Sequence, residues 1–329
     1  MAKHAFAVYG LKVAPRMHPE NKVDVANIDG NGLSVAHLAR GFLASIRDSP
    51  FTDDRYQQYF SVNDISPAGQ QVRFTAGYGG YGQEGEMINV KNHETTHKFA
   101  RDESATVLSR NMLVVPDKGD TALYFAERYG GRGSASFFLR QMKAAFRRRM
   151  LNEQLILHHE SLIDHQAWSE YLQRAKLTGV QVVRYGISSD IAEGVSADVV
   201  GRLRYEVKPR RGAAGLGQRL KDLLLSKEVK AQQILGLSAE LEKDETRLDL
   251  DDGNQQRQLI IGREEPPALA YLIPYKGDGR PTDDVVFGAM ERVVPVLMQQ
   301  LGMEISSNWN KGAWSADQLN VRMGAVRGD

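Results

Sequence analysis

Residues 101–150 read RDESATVLSRNMLVVPDKGDTALYFAERYGGRGSASFFLRQMKAAFRRRM. Within them NMLVVP (111–116) is a short apolar run, DKGD is a turn, and TALYFAERYG (121–130) is a second run rich in apolar and aromatic residues. Two such runs joined by a turn predict a β-hairpin. Gly130-Gly131-Arg132-Gly133 breaks the chain, and Ser134 is a residue type that caps a helix. The segment after it carries Phe137, Phe138, Met142 and Phe146 and ends in Arg147-Arg148-Arg149. A buried hairpin thus hands over to an amphipathic helix with a cationic end.

Working outward toward the N-terminus, HAFAVYGLKV (4–13) predicts a first strand, and residues 15–31, with Asp29-Gly30 and Asn31-Gly32, a loop. Val35, Leu38, Phe42 and Ile46 recur at helical spacing behind Ser34 as cap, and Ser49-Pro50 stops that helix. Residues 56–65 and 71–78 form a hairpin around Ser66-Pro67-Ala68-Gly69, followed by a flexible, glycine-rich segment, 77–85, that holds Tyr78 and Tyr81.

Toward the C-terminus, EQLILHHE (153–160) is a strand, and Trp168, Tyr171, Leu172 and Ala175 share a helical face. Strands follow at 180–187 and 197–207, a basic turn at Pro209-Arg210-Arg211-Gly212, and an amphipathic helix at 216–227. An acidic hairpin turns at Asp251-Asp252-Gly253-Asn254. A last helix spans 283–301 around Pro295, and a tail from Ser306 carries Trp309 and Trp314 before fraying. The sum is an α+β fold, mostly antiparallel, in two domains, 1–150 and 151–329.

The chain has 329 residues, of which 42% are hydrophobic and 25% charged, as in ordinary globular proteins. It has no cysteine, which excludes disulfides, iron–sulfur ligation and thiol catalysis. The first residues lack a signal-peptide core, which gives no sign of secretion, and no run is long enough to span a bilayer. The net charge is only +1, but between Arg132 and Lys230 eighteen Lys and Arg stand against ten Asp and Glu. Such a basic middle predicts a localised anion-binding face.

The basic groups that would form it are Arg132, Lys143, Arg147, Arg148 and Arg149, then Arg202, Arg204, Lys208, Arg210 and Arg211, with Arg219 and Lys221 beyond. Arg202, Arg204 and Lys208 share strand parity and hence one face. Neutralising phosphates with such a face gives binding with little sequence readout. Gly130-Gly131-Arg132-Gly133-Ser134 at a helix start is a candidate anion cradle, without the G-K-[S/T] of a nucleotide-binding P-loop.

His93-Glu94-Thr95-Thr96-His97 fits H-E-x-x-H, in which two imidazoles one helical turn apart hold zinc beside a glutamate base. Its surroundings are polar, Thr95 and Thr96 are β-branched, and no third ligand follows at the usual spacing, so a solvated loop is the expectation and a zinc hydrolase the alternative. His158, His159 and Glu160 with Asp164 and His165 read as a polar strand end. Asp190, Glu193 and Asp198 lack the strand signature of a nuclease. Glu127, inside an apolar strand, is expected to pair with Arg128, Arg132 or Arg140. No catalytic set and no cofactor motif emerges.

The order of elements (AFAVYGLKV, LSVAHLARGFLAS, a strand pair, then DESATVLSRNMLVVPDKGDTALYFAERYGGRG and a helix) resembles the RexA-like phage exclusion proteins of abortive-infection defence. RLRYEVKPR, LGQRLKDLLLS and ETRLDLDDGNQQRQLII continue the likeness loosely. The resemblance implies a non-enzymatic cytoplasmic sensor that contacts double-stranded DNA or another nucleic acid. It further implies a homo-oligomer acting with a separate membrane effector. A protein-interaction scaffold is a further alternative. The HETTH segment and the glycine stretch depart from that likeness.

Overall fold

The computed structural model describes residues 4–129, 133–162, 172–185, 202–226, 229–236, 244–251, 256–261, 271–273, 275, 277 and 279–326. The chain forms two compact units, one of Met1–Leu162 with Ala270–Asp329, the other of Ile163–Leu269.

The first unit is built on a mixed-length antiparallel sheet. Strand β1 (His4–Pro15) is its axis. On one side β1 pairs with β8 (Thr121–Tyr129), which pairs with β7 (Val107–Val114), then β4 (Gln71–Gly80), β3 (Gln58–Ala68) and the short β2 (Phe51–Asp53). On its other side β1 carries β9 (Leu155–Ser161) along Tyr9–Pro15 and β14 (Tyr271–Leu272) at Ala5 and Phe6. A separate hairpin, β5 (Gly85–Ile88) and β6 (Thr95–Phe99), completes the strands of this unit.

Strand alternation gives the sheet two apolar faces. Leu11, Val13, Phe74, Leu113 and Tyr124 face helices α1 (Val35–Asp48) and α2 (Ala135–Arg149). Phe6, Val8, Met112, Leu123 and Phe125 face helix α5 (Asp283–Gln300). The aromatic residues of α2 are its anchor. Phe138 lies 4.7 Å from Tyr124 and 5.2 Å from Phe74, ring centre to ring centre, and Phe137 lies 5.0 Å from Phe60. Each such ring taken from water contributes about 1.5–3 kcal/mol.

The second unit has a four-stranded antiparallel sheet ordered β11 (Arg202–Val207), β10 (Lys176–Tyr185), β12 (Asp244–Asp251) and β13 (Gln256–Ile261). Helices α3 (Gln218–Leu225) and α4 (Ala231–Ile234) accompany it, and Leu177, Val180, Val182, Leu224, Leu248 and Leu250 form its core.

The α+β class stands, and the division of the chain differs from a boundary at residue 150. Strand β9 belongs to the first unit because Leu155 and Leu157 complete its core, and residues 271–326 return to it. The second unit is an insertion between β9 and β14, two strands that pair with β1 at Tyr9↔Ser161 and Phe6↔Tyr271. Neighbouring ends are the geometry that tolerates an inserted domain.

Three local expectations also change. The β3–β4 hairpin turns at Gly69 and Gln70, and Pro67 stays in β3, opposite Val72. That position is past the reach of β2, so the missing N–H faces no partner strand. Gly77, Gly79 and Gly80 are strand residues of β4, not a flexible linker: a Cβ on Gly79 would sit 2.5 Å from the Ala105 carbonyl oxygen. The C-terminal tail does not fray after its tryptophans. Residues Ala316–Asn320 form a short helix, α6, and Trp314 and Met323 are buried in the α1–α2 core.

Candidate nucleic-acid interface

Helix α2 presents its apolar stripe to the sheet and ends in three guanidinium groups. Phe137, Phe138, Gln141, Met142, Ala145 and Phe146 are buried, whereas Arg147, Arg148 and Arg149 are exposed and Lys143 is half-buried. Consecutive residues fan around a helix by about 100° each, so the three arginines spread over one end of α2. Cations there complement the negative end of the helix dipole, which the buried Met150 then closes.

The positive field extends beyond the helix. Strand β9 lies against α2, and burial first, then the neighbouring Lys143, lowers the pKa of His159. The pKa of His158 is lowered by burial and then by Lys22 and Lys143. Asp29 is near enough to Arg149 to feel it. Burial there opposes ionisation, but backbone N–H donors from Asn31, Leu33 and Asp29 itself, with Arg149, outweigh it and lower the pKa. Among the described residues, none of Lys143, Arg147, Arg148 and Arg149 makes an ion pair within 4 Å, so all four are available to an external anion.

The other predicted basic residues lie in the second unit. Arg204 is exposed on the edge strand β11, and Arg202 begins that strand opposite Tyr185. Arg210 and Arg211 are exposed in the turn that Gly212 closes at φ +88°. Lys208 is just past β11 and pairs with Glu206 at 3.1 Å. Glu206 shares the parity of Arg204 and accepts a hydrogen bond from Gln181, which also donates to Asp249. Acid groups therefore interleave with the bases, and the face is not uniformly cationic.

Lys221 leaves the set altogether. It is 1% exposed, and its Nζ donates to the carbonyls of Leu172 and Ala175 at 2.6 and 2.7 Å. Arg132 lies outside the described residues, as do Asp164, His165, Asp190, Glu193 and Asp198. The basic residues thus fall into two separate sets, one per unit.

The HETTH segment is a β-hairpin rather than a helix or a loop. His93 occupies the turn at φ +59°, and Thr95–Phe99 is strand β6. An H-E-x-x-H zinc site needs its histidines one helical turn apart, whereas four strand residues span about 13 Å. His97 instead meets Glu103 at 3.2 Å, and Asn92 donates to Glu94.

Glu127 is buried, at 1% exposure, but its partners are not the expected ones. The guanidinium of Arg110 donates to it at 3.1 and 3.3 Å and the Arg110 backbone N–H at 2.9 Å, with Arg280 at 3.6 Å and His4 at 3.8 Å. Arg128 alternates to the opposite face of β8, and Arg140 is engaged by Asp53 and Gln58. Arg110 was legible as a partner: it shares parity with Met112 and Val114 on the strand beside β8. Arg280, far along the chain, gave no such signal.

Comparison of the chain with protein-family models, curated proteins and solved structures finds no match.

Proposed function

We propose that this chain is a non-enzymatic, sequence-nonspecific nucleic-acid-binding protein of RexA-like anti-phage defence, acting in the cytoplasm as a homo-oligomer beside a separate membrane effector. The observation that carries the nucleic-acid part is the exposed Arg147-Arg148-Arg149 run with Lys143, unpaired among the described residues on a helix end whose dipole favours cations. Guanidinium groups are suited to bidentate phosphate contact. Phosphate contacts of this kind hold a duplex without reading its bases. The defence role, the self-association and the effector rest on the resemblance in the order of elements. No helix among the described residues is long and apolar enough to cross a membrane.

The test is a fluorescence-anisotropy titration of the full chain against a short DNA duplex at several salt concentrations. The expected result is binding that weakens steeply with salt. Reversing Arg147, Arg148 and Arg149 to Glu should lower affinity and flatten the log–log slope by about 0.9 for each phosphate that is no longer neutralised. Binding with unchanged affinity and slope in the triple variant would remove this face from the proposal.

A further inference from the structure

Strand β9 pairs with β1 and packs against α2. Leu155 and Leu157 are buried in the core that α2 covers, and His159 shares their parity and so lies on the α2 side of the strand. The strand leaves the end of α2, where the Leu155 N–H donates to the Met150 carbonyl at 3.3 Å, and carries His159 back alongside Lys143. There the His159 side chain is exposed.

His158 is placed differently. It points to the other face of β9, opposite Lys12 in the register and near Lys22. It is half-buried, and its Nε2 is sealed from solvent with no hydrogen-bond partner among the described residues. An anion in solution can meet His159, whereas the His158 Nε2 is closed to it.

The charges around His159 leave it without a compensating carboxylate. Helix α2 contributes Lys143, a cation. Strand β1 contributes Lys12, whose ammonium is held by Glu160 at 2.6 Å. The loop before α1 contributes Lys22, on the His158 side, and Asp29, which feels Arg149. On β9 itself Glu160 has the opposite parity and is engaged by Lys12. Among the described residues no acid group pairs with His159 within 4 Å. Burial first, then Lys143, therefore holds its pKa below 6.5. A phosphate set against Lys143 would reverse the field that disfavours the second proton on the ring.

We propose that His159 belongs to the phosphate-binding face of α2 and takes up a proton when a nucleic-acid phosphate docks beside Lys143, so that duplex binding strengthens as pH falls. This rests on the nucleic-acid reading of Arg147, Arg148 and Arg149 and names the regulation of that face. A phosphate between Lys143 and His159 offsets the repulsion between the two cations and accepts a hydrogen bond from the ring. The free chain keeps the ring neutral above its lowered pKa, and the bound phosphate raises that pKa. Between the two values the complex holds more protons than the free chain, so affinity rises toward acid through that window. Below the free pKa both states are protonated and the gain is complete.

The test is an anisotropy titration of the full chain against a short DNA duplex at about pH 8 and about pH 6, each at several salt concentrations. Affinity should rise by about tenfold at the lower pH, and the log–log salt slope should steepen by about 0.9, for one more phosphate neutralised. His159→Gln should lose most of this rise. His159→Arg, a cation at both pH values, should bind at about pH 8 as tightly as the unaltered chain does at about pH 6. His158→Gln should keep the full rise. The His159 ring resonance, followed by NMR, should titrate at higher pH in the complex than in the free chain. Affinity that does not rise at the lower pH, a rise that His159→Gln retains, or a His159 titration unmoved by duplex would each overturn the assignment and leave the arginine face standing. Absence of duplex binding at both pH values would overturn that face and this inference together.

Discussion

The Glu127 carboxylate on β8 and the Arg110 guanidinium on β7 form a buried ion pair at 3.1 Å, with Glu127 1% exposed and the Arg110 side chain 13% exposed. Arg110 also reaches Asp283 at 2.7 Å and the Pro281 carbonyl at 2.8 Å, so one guanidinium ties the sheet to the start of α5. Removing one partner strands the other charge. Glu127→Ala and Arg110→Ala should each destabilise the first unit by about 3–5 kcal/mol. Glu127→Leu with Arg110→Met should cost less than the two single losses added together. Urea unfolding of the four proteins measures this, and additive losses would show that the two side chains do not act as a pair.

His37 closes the capping box of α1. The Ser34 N–H donates to its Nδ1 at 3.2 Å while its own N–H donates to the Ser34 hydroxyl. Its ring meets Trp314 edge-on at 4.8 Å. Burial lowers its pKa below the ordinary 6.5, and a protonated Nδ1 could not accept the Ser34 bond. The unfolded chain thus takes up the proton first. The stability is present above the unfolded pKa and is lost as pH falls below about 6.5 toward the lower folded value. His4, lowered chiefly by burial, adds in the same direction. The urea midpoint should therefore fall between about pH 7.5 and about pH 5.5. His37→Gln, which preserves the box, should fall less. Equal falls would exclude His37 as a source of the acid sensitivity.

Lys221 is a structural lysine. Its ammonium satisfies the carbonyls of Leu172 and Ala175, just before β10, from a position 1% exposed on α3. Lys221→Met retains most of the apolar stem and leaves two carbonyls without that donor. It should destabilise the second unit by about 1–3 kcal/mol. Hydrogen exchange should quicken in peptides covering 172–185 and stay unchanged in peptides covering 4–15. A surface lysine would show neither effect.

Much of this fold was legible because its signals are local. The hairpin of β7 and β8, the capped α1 and the aromatic stripe of α2 were written in alternation, turn residues and 3.6-residue spacing. Long-range packing was not. Nothing in HETTH itself says that Asn89–Asn92 turn the chain back on β5, and β-branched Thr95 and Thr96 were the one hint of a strand. Glycines 77–80 look like a linker in sequence and are a strand because Ala105 runs beside Gly79. Of the cationic residues, the α2 run was legible as exposed because Arg147–Arg149 follow the last buried Phe146. Lys221 was not, because carbonyls some 45 residues upstream hold it.

The tail illustrates how distant packing reverses a local preference. Trp314 donates its indole N–H to the Gly69 carbonyl at 2.8 Å, and Arg40 donates to the Leu319 carbonyl at 2.6 Å, so residues 314–323 lie along α1. Gly41 is in that helix, and a Cβ there would come 2.4 Å from the Val321 carbonyl oxygen. In an exposed helix Gly→Ala stabilises by about 1 kcal/mol. Here Gly41→Ala should destabilise, because the methyl forces the tail away from α1 and uncovers Trp314 and Met323. Trp314→Ala should cost about 3–5 kcal/mol by emptying a core position, whereas Trp314→Phe should cost less, losing the indole hydrogen bond but keeping a ring. Limited proteolysis measures the release directly. Cleavage after residue 310 should accelerate in Gly41→Ala and in Trp314→Ala at temperatures where the remainder of the first unit stays folded. A stabilised Gly41→Ala protein with an uncut tail would mean that the helix face bearing Gly41 is free, and that the C-terminal segment does not belong to the core.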